Sequence, residues 1–224
     1  MAIPFIQTPI RCIRSISLVL TFALVPLIAH AATSGNLVTD PTFSTGATNW
    51  SSSIGWQTCA GASGSQPCID GSGNVVFSYI PATVSQSNIA LPTNLGPLTS
   101  VAFTITHAAG WFSDASQITL TLYDASNTQV ATQSSSCASP CAATSMSVSI
   151  TNPTAVSAAT KATVAFSDTS GNPWAGNYGA IFNAPLLTAS GNGAPVPALS
   201  TWGMLILAAL LALGSAAALR RRQR

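Results

Sequence analysis

Hydrophobic and polar residues alternate along much of the middle of this chain. In residues 100–108, Val101, Phe103, Ile105 and His107 fall on one face, with small or polar residues between them. Because successive side chains of a β-strand point to opposite faces, this pattern predicts a half-buried strand. The same alternation predicts four more strands, at 74–80 (Val75, Phe77, Tyr79), 117–124 (Ile118, Leu120, Leu122), 145–151 (Met146, Val148, Ile150) and 161–168 (Ala162, Val164, Phe166).

Turn-forming residues separate these segments, and no stretch between them shows a convincing helical period of 3.6. The turn signals are rich in Gly, Asn, Asp and Pro and fall at 70–74, 93–97, 124–127 and 170–173. Many short strands with Ser and Thr between the apolar positions are typical of an all-β fold. We therefore predict an antiparallel β-sandwich or jelly roll over residues 32–190.

The first 31 residues have the features of a secretory signal peptide. A basic start with Arg11 and Arg14 precedes an apolar run at 15–28, and the residues Ala-His-Ala at 29–31 suit a cleavage site. We therefore predict that residues 1–31 form a signal helix that is removed on export.

The last residues combine a linker, an apolar run and a basic end. Residues 191–198 are a Gly/Pro linker, and residues 199–219 contain no charged side chain. At about 1.5 Å per residue, a helix of that length spans the ~30 Å core of a bilayer, so we predict a transmembrane helix at 199–219. The basic residues of 220–224 then act as a stop-transfer signal and stay in the cytoplasm (Arg220, Arg221, Arg222, Arg224).

Charge is concentrated at the two ends of the chain and is scarce between them. In the middle part Lys161 is the one basic residue and stands against five aspartates, which leaves a formal charge of −4. Without clustered Lys or Arg, the domain has no surface that displaces counterions from a polyanion. We therefore exclude nucleic acid as a partner.

Four cysteines remain once the signal peptide, with Cys12, has been removed. An even number of cysteines in an exported domain indicates disulfides. Three pairings are possible, of which the local one, Cys59–Cys68 with Cys137–Cys141, is the most economical. A zinc site is the alternative, but the loops lack a second histidine or clustered carboxylates, and export favours oxidation.

The stretch VPALSTWG at 196–203, followed by the apolar run and the arginines, resembles a bacterial C-terminal sorting signal. This IPTL-CTERM signal, similar to the PEP-CTERM type, starts with Ile-Pro-Thr-Leu and continues to a Trp-Gly pair. Val196 and Ala198 replace the usual Ile and Thr, and the other positions match (Pro197, Leu199, Ser200, Trp202, Gly203). The resemblance implies that the inner membrane holds the precursor transiently and that an exosortase-type protease reads the tail. A permanent anchor is the alternative.

The middle part offers little for catalysis. Acid/base hydrolysis needs two positioned carboxylates, but Asp114 and Asp124 flank the predicted strand at its opposite ends. His107 is the only histidine left after signal removal, and no Gly-x-Ser-x-Gly elbow accompanies it. Its place on the same face as Ile105 favours a packed core histidine. We therefore predict no catalytic residue, no metal site and no enzymatic activity.

Asn36, Leu37, Val38, Phe43, Gly46 and Trp50 follow the order that opens jelly-roll carbohydrate-binding modules, which this domain resembles at both ends. The stretch 178–190 is similar to the last strand of that family. There an aspartate often helps to hold a structural calcium, and an acidic residue follows the Phe of the opening. Asn183 and Ser44 take these two places here. We therefore predict no cofactor, with a structural calcium as the alternative.

Aromatic residues in the predicted loops are candidates for sugar binding, because a pyranose ring presents an apolar C–H face. Trp111 and Asp114 lie in one such loop, and Trp174 and Tyr178 lie in another. The alternative is that these large rings plug the ends of the sandwich core, which is the interpretation we favour for Trp50.

These features predict an exported precursor that is anchored in the inner membrane, with a mature form at the cell surface or outside the cell. We expect a non-enzymatic surface or matrix protein that contacts extracellular polysaccharide. Two alternatives remain open: an extracytoplasmic hydrolase, and a purely structural matrix protein without a ligand.

Overall fold

The computed structural model describes residues 31–59, 64–108, 115–170 and 179–193. These residues form eleven strands, one α-helix and a 3-10 turn at Gly46–Thr48. The helix α1 covers Pro153–Ala158, and the strands are β1 (Ala32–Thr33), β2 (Ser51–Ser52), β3 (Cys68–Ile69), β4 (Val75–Val76), β5 (Ala82–Ala90), β6 (Leu98–Ala108), β7 (Ser116–Tyr123), β8 (Gln129–Cys137), β9 (Thr144–Ile150), β10 (Lys161–Asp168) and β11 (Ile181–Gly191).

The strands make two antiparallel sheets. Sheet A has the order β3-β4-β11-β6-β9, with β1 also paired to β11, and sheet B has the order β2-β5-β10-β7-β8. The chain crosses between the sheets at every connection except β3–β4 and β7–β8, as it does in jelly rolls. The predicted all-β antiparallel sandwich is confirmed.

Phe166 joins the two sheets at the centre of the sandwich. It belongs to β10 of sheet B, and its ring centroid lies 4.9 Å from that of Phe182 in sheet A. Phe43 and Trp50 of the opening segment pack on Phe166 at 6.1 and 5.5 Å. Trp50 is 2% exposed, which confirms the prediction that it belongs to the core.

Four of the five predicted strands are present, and their predicted inward faces are buried. Strand β10 has the predicted bounds, while β6, β7 and β9 differ from the prediction by one or two residues at an end. Their apolar inward side chains are all at most 6% exposed (Val101, Phe103, Ile105, Ile118, Leu120, Leu122, Met146, Val148, Ile150, Ala162, Val164, Phe166).

The prediction of a strand over 74–80 is wrong beyond its first residues. β4 ends at Val76, and the alternation fails after it because Ser78 is buried while Tyr79 is 37% exposed. The Oγ of Ser78 accepts a hydrogen bond from the N–H of Ile80 (3.3 Å). Such local side-chain bonds offer the backbone an alternative to a sheet ladder.

Three elements of six or more residues went unpredicted, each for a physical reason. In β5, Asn88 has a positive φ of 58° beside a register shift against β10, which interrupts the period of two. Strand β8 lies at the edge of sheet B and is largely polar. Helix α1 has only six residues, although Asn152 caps it with hydrogen bonds from two N–H groups and Pro153 occupies its first turn.

The opening segment also differs from the first strand that the family resemblance implies. β1 ends at Thr33, and the chain then follows β11 irregularly, with the N–H of Leu37 donating to the carbonyl of Leu187 (2.9 Å). Asn36 takes over ladder bonds here, since its Nδ2 donates to the carbonyl of Pro185 (2.9 Å) and its Oδ1 accepts from the N–H of Leu187 (3.1 Å). Side-chain bonds therefore replace regular pairing in this segment.

Strand β11 runs the length of sheet A. Its Ile181 lies opposite Ala108 of β6, and its Gly191 lies opposite Ala32 of β1. Eleven residues at about 3.3 Å each extend roughly 35 Å. The two pairs therefore mark opposite ends of the sandwich.

Both predicted disulfides are present, with Cα–Cα distances of 5.1 Å for Cys59–Cys68 and 5.5 Å for Cys137–Cys141. Because all four thiols are used in these bonds, the zinc alternative is wrong.

The predicted transmembrane helix at 199–219 and most of the signal peptide lie outside the described residues. Within the four described ranges, no helix has the length and hydropathy to cross a membrane.

Candidate functional site

The predicted ligand residues fall in the segments 109–114 and 171–178, and described residues that flank these segments lie side by side. The N–H of Ala115 donates to the Oγ of Ser170 (2.9 Å), and the N–H of Thr169 donates to the carbonyl of Ala115 (2.8 Å). Ala115 and Ser170 are 55 positions apart in the chain. Tertiary structure therefore brings the end of one segment next to the start of the other.

The two remaining boundaries of these segments meet in sheet A. Ala108 lies opposite Ile181, and the N–H of Gly179 donates to the carbonyl of Phe77 (3.1 Å). All four boundaries thus lie at the same end of the sandwich. We call it the anchor end and define it by Ala108, Ala115, Ser170 and Gly179.

The predicted ligand residues Trp111, Asp114, Trp174 and Tyr178 lie outside the described residues. Asp114 is bonded directly to Ala115, and residue 171 follows Ser170. The structure brings together the strands that flank the two segments, and the positions of the four side chains stay a prediction.

A cluster of buried polar side chains lies at the anchor end, inside the sandwich. His107 is the penultimate residue of β6, Ser116 begins β7 and Asp168 ends β10, and each is 1% exposed. Ser116 and Asp168 lie opposite each other in the register of β7 and β10. Within the described residues, no atom hydrogen-bonds to the Nε2 of His107 or the Oγ of Ser116.

The Nδ1 of His107 lies against a backbone carbonyl. Burial lowers the pKa of His107 below the ordinary 6.5, while the hydrogen bond to Ala142 and the charge of Asp168 oppose this effect. The carbonyl oxygen of Ala142 is 3.4 Å from Nδ1 and can only accept, so this contact favours the tautomer with its proton on Nδ1. The same Nδ1 lies 3.5 Å from the Sγ of Cys141, and the ring meets that of Phe182 edge-on at 5.2 Å.

Ser, His and Asp are the residue types of an acyl-transfer triad, but their burial favours a core role. A substrate in solvent does not reach side chains that are 1% exposed. The prediction of a packed histidine is confirmed. Ser116 and Asp168 were not among the predicted site residues, although extending the alternation by one step puts Ser116 on the face of Ile118 and Asp168 on the face of Phe166.

A second candidate site is an open pocket of about 450 Å³ between residues 42–44 and 69–73. An aspartate organises the loop on each side. The Asp40 carboxylate accepts hydrogen bonds from the N–H and hydroxyl groups of Ser44 and Thr45 (2.5–2.9 Å). Burial raises the pKa of Asp40, but these bonds outweigh it and lower the pKa from 3.8 to about 2.

Asp70 has the same role in the second loop. Its carboxylate accepts hydrogen bonds from the N–H of Ser72 and from the N–H and side-chain amide of Asn74, each at 2.9 Å. Burial raises the pKa of Asp70, and these bonds lower it to below its ordinary value. Both carboxylates lining or flanking the pocket therefore stabilise turns and are engaged with the protein itself.

At the two positions where the family resemblance places calcium ligands, the side chains hydrogen-bond to other residues of the chain. Ser44 directs its hydroxyl to Asp40, and the Nδ2 of Asn183 donates to the Oδ1 of Asn74 (3.0 Å). Calcium takes six to eight oxygen ligands, carboxylates prominent among them. In the described part of the chain, no group of three His, Cys, Asp or Glu could hold a metal ion.

Hydroxyl groups form ladders on the outer face of sheet B. Thr119 and Ser134 hydrogen-bond across β7 and β8 at 2.9 Å, and Thr121 and Thr132 do so at 3.1 Å. These side chains are neutral, so the ladders offer hydrogen bonds to an uncharged partner.

Residues 194–224 match the family model of the IPTL-CTERM motif. The match covers the predicted sorting residues from Val196 to Gly203 and the arginines at 220–224, and it confirms the resemblance. The chain therefore carries a C-terminal sorting motif behind its β-sandwich. All of these residues lie outside the described part of the structure.

Solved structures similar to the sandwich have low sequence identity to it. The enzymatically active domain of bacteriophage CBA120 tailspike protein 4 has a TM-score of 0.47 and 14% identity, over 68% of this chain and 21% of the tailspike chain. The xylan-binding module CBM15 has a TM-score of 0.42 and 13% identity, over 74% and 100% of the two chains. TmCBM61, solved with β-1,4-galactotriose, has a TM-score of 0.40 and 15% identity, over 69% of this chain and 98% of the TmCBM61 chain.

The TM-scores of these three structures are all below 0.5. This chain spans only about a fifth of the tailspike. A search of the curated proteins found no sequence that matches this chain.

Proposed function

We propose that this chain is an exported surface or extracellular-matrix protein whose β-sandwich binds polysaccharide at its anchor end. The observation that carries the proposal is the pair of hydrogen bonds from Ala115 to Ser170 and from Thr169 to Ala115. Two aromatic residues contact one glycan only if their segments leave the fold close together. The two hydrogen bonds of Ala115 meet this condition for the segments 109–114 and 171–178.

A neutral glycan suits the residues of these segments. The indoles of Trp111 and Trp174 offer apolar faces on which pyranose rings stack. Asp114 and Tyr178 supply a hydrogen-bond acceptor and a hydroxyl. The net negative charge of the domain and its single lysine disfavour a polyanionic glycan.

The sorting motif supports a location outside the cytoplasm. In this proposal the signal peptide at 1–31 directs export, and the helix at 199–219 holds the precursor in the inner membrane. An exosortase-type protease then reads 196–203, and the arginine tail stays behind. The mature domain reaches the surface or the surroundings of the cell.

We propose a binding role and not a catalytic one. His107, Ser116 and Asp168 are buried, and the carboxylates of Asp40 and Asp70 accept internal hydrogen bonds. A hydrolase of the alternative kind requires an accessible carboxylate pair or histidine. Incubation with a retained polysaccharide followed by reducing-end assay tests this: an increase of reducing ends over a buffer blank overturns the non-enzymatic role.

Affinity electrophoresis through gels with xylan, galactan or β-glucan tests the binding site. We expect Trp111→Ala and Trp174→Ala each to weaken the retention about tenfold, the loss of one stacked ring, with the melting temperature unchanged. Tyr123→Ala is the matched control, because Tyr123 is an aromatic residue at the far end of β7 from Ala115. Absence of retention in all gels, or unfolding of both tryptophan variants, contradicts the proposal.

The mass and location of the mature protein test the sorting step separately. A product that lacks about 31 residues at its start and the arginine tail at its end, found at the surface or in the medium, supports processing. An intact C-terminus held in the inner membrane rejects it and leaves the binding proposal untouched.

A further inference from the structure

The two sulfurs of the Cys137–Cys141 disulfide have different surroundings. Cys137 ends β8 and is half-buried, between the exposed residues Ser136 and Ala138. Cys141 is 0% exposed. The difference in exposure therefore favours attack of a thiol from solvent on Cys137 over attack on Cys141.

The buried sulfur lies against the imidazole of His107. The Nδ1–H that the carbonyl of Ala142 favours is also 3.5 Å from the Sγ of Cys141. An N–H donor stabilises a thiolate more than an uncharged disulfide sulfur, because hydrogen bonds to ionised groups are the stronger ones. His107 therefore favours the state in which Cys141 carries the negative charge.

The second disulfide of the same chain lacks this neighbour. Cys59 is half-buried and Cys68 is 0% exposed, so the two sulfurs show the same difference in exposure. His107 is the one histidine of the described ranges, and it contacts Cys141. Cys59–Cys68 thus separates the effect of the histidine from the effect of exposure.

We propose that Cys137–Cys141 is a thiol-exchange site in which an external thiolate attacks Cys137 and Cys141 is the leaving group. A new S–S bond forms between the attacking sulfur and Cys137, the bond between Cys137 and Cys141 breaks, and its electron pair stays on the Sγ of Cys141. The Nδ1–H of His107 donates to that thiolate and the imidazole stays neutral. A second thiolate of the reductant displaces Cys137 and leaves as the oxidised disulfide of the reductant.

The product of the first step is a covalent adduct on the exposed half of the site. Because leaving groups of lower pKa leave faster, the histidine directs exchange to this disulfide. The chemistry requires only a thiolate, and the sulfur that it reaches is set by the exposure of Cys137. Modification of Cys137 by thiol exchange is independent of glycan binding.

The test uses the full chain, purified in detergent at a fixed pH of about 7. Reduced glutathione is added, the reaction is stopped with N-ethylmaleimide, and peptides are analysed by mass spectrometry. We expect glutathione on Cys137 with maleimide on Cys141, and opening about tenfold faster than that of Cys59–Cys68. Glutathione found mainly on Cys141, or equal opening rates of the two disulfides, overturns the proposal.

Two substitutions of the histidine complete the test. His107→Phe removes the donor and keeps a ring against Phe182, and we expect it to slow opening to about the rate of Cys59–Cys68. His107→Gln keeps a side-chain N–H, and we expect it to retain most of the faster rate. Unchanged opening in His107→Phe rejects the role of the imidazole. If that variant unfolds, both disulfides open fast together. The proposal is then tested by which sulfur of the unsubstituted chain, Cys137 or Cys141, carries the glutathione.

Discussion

The indole Nε1 of Trp50 donates a hydrogen bond to the backbone carbonyl of Asp40 (3.2 Å). Asp40 has a positive φ of 54°, and its carboxylate holds Ser44 and Thr45, so the loop between the two residues closes on itself. Phe43 of this loop stacks at 5.0 Å from the Trp50 ring. The opening segment therefore covers the core, and its conformation depends on both Trp50 and Asp40.

Removing the Trp50 ring should destabilise the domain strongly. We expect Trp50→Ala to lower the free energy of unfolding by about 3–5 kcal/mol, because it leaves a cavity beside Phe43 and Phe166. Trp50→Phe keeps a ring and loses the bond to Asp40, so we expect about 1–2 kcal/mol. Urea unfolding followed by circular dichroism measures both. A loss below 1 kcal/mol for the alanine variant contradicts the assignment to the core.

Acid should weaken the loop of Asp40. The folded pKa of about 2 is below the ordinary 3.8, so its contribution is present above pH 4 and is lost as pH falls from 4 to 2. After allowance for solvent screening, we expect Asp40→Asn to cost about 1 kcal/mol at pH 7 and almost nothing at pH 2. Asn tolerates the positive φ, so the substitution tests the charge. An equal cost at both pH values rules out this explanation.

Gly73 should not accept a side chain. It has a φ of 76°, and a Cβ there would lie 2.5 Å from the carbonyl oxygen of Thr42. We expect Gly73→Ala to lower the melting temperature by several degrees, from a cost of about 2 kcal/mol or more. Gly71→Ala is the control in the same turn, because a Cβ at Gly71 meets no atom within 4 Å. Equal effects of the two substitutions speak against a contact between the loops.

His107 should make the domain less stable in mild acid. Its folded pKa is lowered below 6.5, so the unfolded chain binds a proton that the folded domain does not. Stability is therefore complete above pH 6.5 and declines as pH falls below it, by up to about 1 kcal/mol at pH 5.5. Thermal unfolding at pH 7.5 and 5.5 measures this loss. His107→Phe should show a smaller loss over the same window, and an equal loss assigns the dependence to other groups.

Sequence periodicity predicted the strands whose faces are buried on one side only. Strand β10 alternates from Lys161 to Phe166, and its bounds Lys161–Asp168 were predicted to the residue. Residues 129–137 were not, because an edge strand with few apolar residues carries no alternation of hydrophobicity. The failed prediction at 74–80 shows the opposite case, since local bonds of Ser78 broke an apolar run that looked like a strand.

The candidate site was only partly accessible to sequence reasoning. Aromatic residues beside Gly and Asn pointed to 109–114 and 171–178 without any long-range information. Both segments leave the sandwich at the same end because Ala115 contacts Ser170. No local sequence pattern encodes a contact across 55 positions. The meeting of His107 with Cys141 is likewise a product of the fold, since β6 and the turn after β8 are joined only in three dimensions.

Strand β11 also fixes how a tethered domain would face its surroundings. Ile181 marks the anchor end, and Gly191 lies some 35 Å away beside Ala32, so both termini of the fold share one pole. The tail that begins after Gly193 therefore leaves the fold at the pole opposite the anchor end. Under the proposed function, the glycan site and the membrane tether lie at opposite poles, so proteolytic release would change the reach of the protein without changing what it presents.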